Sequence, residues 1–96
     1  MPEVATFELL VEVRLRPAVA DPQGATVERA LPALGFEGVH HVRFGKAVRF
    51  EVEAPDEAGA RAVATDLATR LLGNPVIEDS EVLSCRPAAA HATAAR

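Results

Sequence analysis

The stretch from Phe7 to Leu15 constrains this chain more than any other. Phe7, Leu9, Val11, Val13 and Leu15 fall on one face of an extended backbone, and Glu8, Leu10, Glu12, Arg14 and Arg16 fall on the other. A period of two is the mark of an antiparallel strand with one face buried. Such a strand cannot stand alone, because its apolar face needs a covering layer and its backbone needs neighbours. Pro17, which has no N–H to give to a ladder, ends it.

Two helical patterns can supply the cover. Val27, Ala30, Leu31 and Leu34 recur at i, i+3, i+4 and i+7, with Gly35 placed to end the helix and Phe36 to fold back on its last turn. Pro32 lies inside that pattern and predicts a kink or a loosened last turn. A second helix opens at Pro55-Asp56-Glu57, where proline and acids suit a helix N-terminus. Its stripe is Ala60, Val63, Ala64, Leu67, Ala68 and Leu71. Alanine lets it lie close to a sheet, and Gly73-Asn74-Pro75 stops it.

Between the helices, "VHHVRFGKAVRFEVE" (residues 39–53) reads as a hairpin around Gly45-Lys46. A three-residue loop with a bulge puts Val42 with Val48, beside Phe50 and Val52, whereas one residue of slip exchanges the two faces. Residues 76–85 read as a last strand. The order β-α-β-β-α-β predicts an α+β, ferredoxin-like sandwich with both helices on one face of an antiparallel sheet. The other sheet face is mostly charged, hence solvated or a wet interface. A single domain is expected over residues 1–86. The low-complexity tail, residues 87–96, is expected to be disordered.

Ninety-six residues make one domain that buries only about 60–65% of its unfolded surface, and such thin cores often gain stability by oligomerising. Cys85 is the single cysteine, so an internal disulfide is impossible, which fits a reducing compartment. Met1-Pro2-Glu3 opens no secretion signal, and no apolar run approaches the roughly 20 residues that span a bilayer. A cytoplasmic protein with no membrane partner is expected. The net charge of −4, the scattered basic residues and the four aromatics, all Phe, argue against a nucleic-acid partner.

Candidate chemistry is sparse. Glu78 and Asp79 resemble a carboxylate pair, but neighbours on a strand point to opposite faces and cannot grip one atom together, an objection that weakens if the segment is a turn. His40 and His41 meet the same objection, and no Cys or His stands at ligand spacing from them, so no metal site is expected; His91 lies in the tail. Ser80, Ser84 and Cys85 have no base placed within reach, and the chain has no nucleophile elbow. "GFEG" and "FGK" are too short for glycine-rich phosphate loops. Lys46 is the single lysine against nine arginines. At a hairpin tip it is either a solvated turn residue or a flexible point charge reaching a partner.

The segment "VADPQG" (residues 19–24) is half explained by local physics. Asp21 caps a helix and Pro22 takes its first position. Gln23 is left open, and so is Gly24, because glycine in a first turn costs stability unless something approaches the backbone closely.

Four segments in order, "LRPAVADPQG", "ALPALGF", "VRFGK" and "LLGNPVIEDSEV", closely resemble the PurS family. This is the small subunit of bacterial and archaeal phosphoribosylformylglycinamidine (FGAM) synthase, and the resemblance runs from about Glu12 to Val82. It implies a non-catalytic role in purine biosynthesis. The small subunit would bridge an ATP-dependent synthetase subunit and a glutaminase subunit and support ammonia transfer. ATP and magnesium would be used by the complex and not bound by this chain. It also implies a homodimer, which could pair into a dimer of dimers. Asp21, Pro22, Gln23, Gly24, Gly45, Lys46, Asn74, Pro75, Glu78 and Asp79 become partner-contact residues by this resemblance. The chain departs from the family in having Ala18 for Gly, Ala20 for Leu, Ser80 for Tyr, and Pro32 inside the first helix.

The alternative is an amino-acid-binding regulatory module of the ACT type, whose Asp-x-Pro-Gly corner "RPAVADPQG" somewhat resembles. ACT domains are not expected to carry "VRFGK" or "LLGNPVIED" and are usually attached to an enzyme. An RNA-binding module would need aromatics on its middle strands. An acylphosphatase-like enzyme would need an Arg-bearing anion loop after the first strand.

Overall fold

The computed structural model describes residues 4–88. The alternating strand forms as β1 (Ala5–Leu15) and takes the middle of a three-stranded antiparallel sheet of order β2-β1-β3. β2 is Gly45–Ala54 and β3 is Glu78–Pro87. Phe7, Leu9, Val11 and Val13 are buried, the last three almost completely. β2 runs beside them with Leu9 opposite Phe50 and Val11 opposite Val48. Val48, Phe50 and Val52 therefore share the core face, in register with β1 and not with Val42 as the three-residue hairpin loop predicts.

Helix α2 (Glu57–Leu67) covers that face. Its N-cap is Asp56, whose Oδ1 accepts the N–H of Gly59 at 2.8 Å. Ala60 and Ala64 are its buried residues, Ala68 just past its end is buried as well, and all three join the core cluster of β1 and β2. The predicted stripe is corrected at Val63 and Leu71, which are 49% and 74% exposed. The cause at Leu71 is a π-turn, Ala68–Leu72, closed by the N–H of Gly73 on the carbonyl of Ala68. A wider turn rotates the stripe, so that Leu72 packs against the core instead.

β3 begins and ends two residues later than residues 76–85, and the N–H of Ala88 reaches the carbonyl of Thr6. Pro87 thus belongs to the sheet and Ala88 is hydrogen-bonded to it; the remainder of the tail, His91 included, lies outside the described residues. A bulge between the Leu10 and Val11 pairings leaves Leu83 outward, with Val82 and Cys85 against the core. The opposite face carries the charges as predicted. Arg86 pairs with Glu8 at 2.9 Å, and Arg14 with Glu12 at 2.7 Å and Glu81 at 3.1 Å. Exposed pairs of this kind stabilise little, about 0–1 kcal/mol each.

The α+β, ferredoxin-like class holds, with two departures between the strands. First, α1 (Pro22–Ala30) packs on the 3-10 turn that follows it, Pro32–Leu34, and makes at most marginal contact with the sheet. Pro32 cannot donate to Glu28, so the α-helix ends before it. Gly35, at φ 88°, closes the turn, and the N–H of Phe36 donates to Leu31. The backbone folds back as predicted, yet the Phe36 ring stays more than half exposed.

Second, the hairpin does not form. Residues 39–44 are not a strand. His41 has φ 58°, and two of the N–H groups that a ladder would use are taken elsewhere. That of Val42 donates to Glu28 Oε1 at 3.0 Å, and that of Phe44 to Asp21 Oδ2 at 2.7 Å. The segment instead returns along α1, and residues 22–44 form an arm standing off the sheet.

Candidate functional site

The register brings the C-terminal end of β1 beside the first residues of both other strands. Val13 lies opposite Lys46, Arg14 opposite both Gly45 and Asp79, and Leu15 opposite Glu78. Segments far apart in sequence therefore meet at one end of the sheet, where the arm also begins.

Asp21 organises this corner. It is 8% exposed, and its Oδ1 accepts the N–H of Gly24 at 2.9 Å while its Oδ2 accepts that of Phe44. These two backbone donors, Gly24 first, hold its carboxyl below the usual carboxylate range, with help from the nearby charge of Arg43. The glycine left open by capping is now explained. A Cβ on Gly24 would collide with the carbonyl oxygen of Val42, so the returning chain can pass only over a bare backbone. Arg43 fastens the corner further through Nη2, which donates to the carbonyls of Arg16 at 2.9 Å and Val19 at 2.7 Å.

The turn into β3 makes the other wall. Glu78 Oε1 accepts the N–H of Asn74 at 2.6 Å, and the Asn74 carbonyl accepts the N–H groups of Ile77 and Glu78. Asn74 Oδ1 accepts the N–H of Val76 at 3.1 Å. Arg16 donates to the Pro75 carbonyl and pairs with Asp79 at 3.3 Å. These groups shape the turn and leave its surface outward.

Three hollows result. One of about 260 Å³ is lined by Asp21, Gln23, Gly45, Lys46 and Glu78, with Val13, Leu15 and Phe44 as its apolar part. Five residues picked from three separate motifs thus share one depression. The next, about 240 Å³, is bounded by Arg16, Gly73, Pro75, Glu78 and Asp79, so Glu78 stands between the two. Pro22 and Gln23 line a third, with Phe44, on the outer side of α1. Gly24 is buried and lines none of them. Asn74 acts through its hydrogen bonds.

A larger hollow, about 600 Å³, lies between the arm and β1, with Arg14, Asp21, Glu28, His41, Arg43 and Asp79 around it. The carboxylates of Asp21 and Glu28 are engaged by backbone. The N–H of Val42 is the main cause that holds Glu28 below its usual range, and the charges of His41 and His40 add to it. Among the described residues no three His, Cys, Asp or Glu side chains stand together as metal ligands, and no helix is long and apolar enough to cross a membrane. Burial pushes the Cys85 thiol up, away from nucleophile character.

Sequence reasoning missed Arg16, Glu28 and Arg43. The partners of Arg43 and the main contact of Glu28 are backbone groups displaced by the arm, which no spacing rule marks.

Residues 8–84 match the family model described as "PurS: Phosphoribosylformylglycinamidine (FGAM) synthase". The chain is 42% identical over 74 residues to the phosphoribosylformylglycinamidine synthase subunit PurS of Synechocystis, covering 77% of this chain and 74% of that one. Its fold matches the crystal structure of the Thermotoga maritima PurS subunit with a TM-score of 0.76 at 32% identity, over 90% of this chain and 95% of that one. It also matches a chain of the PurLQS structure from Thermotoga maritima, with a TM-score of 0.73 at 34% identity over 86% and 98% of the two chains. The ACT-type alternative gains no support among these relatives.

Proposed function

The chain belongs to the PurS family, a subunit of FGAM synthase in purine biosynthesis, and we propose that it serves there as a non-catalytic connector between the synthetase and glutaminase subunits. One observation carries this reading. Asp21, Gln23, Gly45, Lys46 and Glu78 meet in a single shallow hollow in which Asp21 and Glu78 are engaged by backbone N–H groups. Carboxylates held this way fix a shape and are poorly placed to move protons. The outward groups, the amide of Gln23 and the ammonium of Lys46, suit recognition of a protein surface.

By bridging the two subunits, the chain would hold their active sites in register so that ammonia released from glutamine reaches the activated amide without escaping to water. ATP and magnesium would be bound by the synthetase, and this chain would contribute no ligand to either. The working form is a homodimer in the cytoplasm, able to pair further into a dimer of dimers. A thin single-layer core and exposed apolar side chains such as Leu34 and Phe36 support association.

The test is turnover of reconstituted synthetase and glutaminase, with and without this chain, using glutamine or ammonia as nitrogen donor. Glutamine-supported turnover should require the chain and ammonia-supported turnover should not. Equal glutamine turnover without it would refute the connector.

A further inference from the structure

The hollow of about 600 Å³ between the arm and β1 has no part in the connector reading, and its walls carry both signs of charge. Arg14 and Asp79 come from the sheet, where they lie opposite each other in the pairing of β1 with β3. His41 and Arg43 come from the arm. Arg14 spends Nη1 on Glu12 and Glu81, and Arg43 spends Nη2 on two carbonyls. Asp79 meets Arg16 through Oδ1. Those contacts leave Nη2 of Arg14, Nη1 of Arg43 and Oδ2 of Asp79 to whatever enters the hollow. The side chains of Arg14 and Asp79 are 45% and 49% exposed, so both are within reach of a solute.

The arm side of the hollow is held in place before any ligand arrives. The N–H groups of Val42 and Phe44 are fixed on Glu28 and Asp21, and Arg43 is tied to the root of the arm. Between these anchors His41 holds φ 58°, a conformation that costs a residue with a side chain and that collects at ligand sites.

The chemistry narrows the ligand. Two guanidinium groups with an imidazole beside them, brought from two separate elements, suit a phosphate. A carboxylate next to them suits the hydroxyls of a ribose, the part an acidic residue plays in dinucleotide sites. Leu15, Pro17, Ala25 and Val42 add an apolar lining against which a base can lie. Size argues the same way, because sites for ligands larger than a simple ion run from roughly 300 to 1,000 Å³. Inorganic phosphate would leave most of this hollow to water and would offer nothing to Asp79.

We propose that this hollow binds a nucleoside 5′-monophosphate, with its phosphate on Arg14, His41 and Arg43, its ribose hydroxyls on Asp79 and its base over the apolar lining. The site needs no metal and is separate from the ATP that the synthetase would use. It rests on neither the connector nor the homodimer reading.

The experiment titrates the full 15N-labelled chain with adenosine 5′-monophosphate (AMP) in the absence of magnesium and follows amide shifts. Adenosine, 2′-deoxyadenosine 5′-monophosphate and inorganic phosphate are run beside it. AMP should give saturable shifts around Arg14, residues 41–43 and Asp79 at concentrations below roughly 1 mM, and each comparison compound should bind more weakly. Arg14→Gln should raise the Kd for AMP about tenfold, with circular dichroism and Tm at parent values because the side chain is exposed. Shifts that do not saturate, or that map away from these residues, overturn the proposal. So does inorganic phosphate or the deoxynucleotide binding as tightly as AMP, or an Arg14→Gln variant with the parent's affinity. None of these outcomes touches the connector role, which is read by turnover.

Discussion

The carboxylate of Asp21 accepts the backbone N–H of Phe44 at 2.7 Å across 23 residues of chain, and this bond ties the end of the arm to its beginning. The same carboxylate caps α1 through Gly24. One side chain therefore sets both the departure of the arm and its arrival. Asp21→Ala removes both acceptors and should lower Tm by several degrees at neutral pH. Asp21→Asn, which keeps one acceptor oxygen, should lower it less.

The pH dependence of that loss follows from the shift. The folded state holds the Asp21 carboxyl below its ordinary value, so the stabilisation is present above that ordinary value. It is lost as pH falls through the lower, folded one. Thermal unfolding of wild type and Asp21→Ala should differ fully at neutral pH and converge in strong acid. A constant difference down to the acid limit would show that the carboxylate charge contributes nothing.

Gly24→Ala places a methyl group where the Val42 carbonyl oxygen stands. Neither backbone can yield cheaply, so the substitution should destabilise by roughly 1–3 kcal/mol, the usual range for overpacking. Ala is the better helix former of the two. A stabilised variant would therefore mean that the returning segment does not lie over the helix start. Denaturant midpoints at constant m-value measure it.

The two outward groups of the hollow should act on assembly and leave folding alone. Lys46→Ala and Gln23→Ala should each raise the amount of this chain needed for half-maximal glutamine-dependent turnover by about tenfold, the effect of one modest contact. Turnover with ammonia and the chain's own Tm should stay at wild-type values. A loss of ammonia-dependent turnover would point to a chemical role instead.

Cys85 should react slowly with maleimide or iodoacetamide near neutral pH, because burial raises its thiol and keeps the thiolate scarce. Alkylation should be several-fold faster in denaturant than in the native chain. Native rates equal to denatured ones would contradict the packing of β3 against α2.

Leu9, fully buried at the centre of β1, tests the core. Leu9→Ala should cost about 2–5 kcal/mol, a large part of the stability of so small a domain. Chemical denaturation reads the loss directly.

The elements legible in the sequence are those whose partners are near in the chain or whose period is unbroken. β1 is fixed by its alternation, and both helix starts by Asp21-Pro22 and Asp56-Glu57. The same local logic marked Gly24 as needing a close neighbour without naming the neighbour. What local logic could not reach are the places where a distant group overrides the pattern. Residues 39–44 have strand composition, but Glu28 and Asp21 take the N–H groups of Val42 and Phe44. Leu71 keeps perfect helical spacing, yet a π-turn swings it outward. The hollow was legible as three separate motifs, and its unity comes only from the pairing of Val13 with Lys46 and of Leu15 with Glu78.

The alanines of α2 have one more effect. Ala60, Ala64 and Ala68 are the buried residues of this layer, and all three carry only a methyl group into the core beneath the sheet. Growth at Ala68 would have to displace the helix bodily, and its end runs through Leu72 into Gly73, which sits 3.1 Å, measured from an ideal Cβ, from a Val13 methyl. Asn74, whose N–H holds Glu78, comes next. The helix therefore behaves as a gauge block: its thickness under the sheet fixes the height of the corner above it.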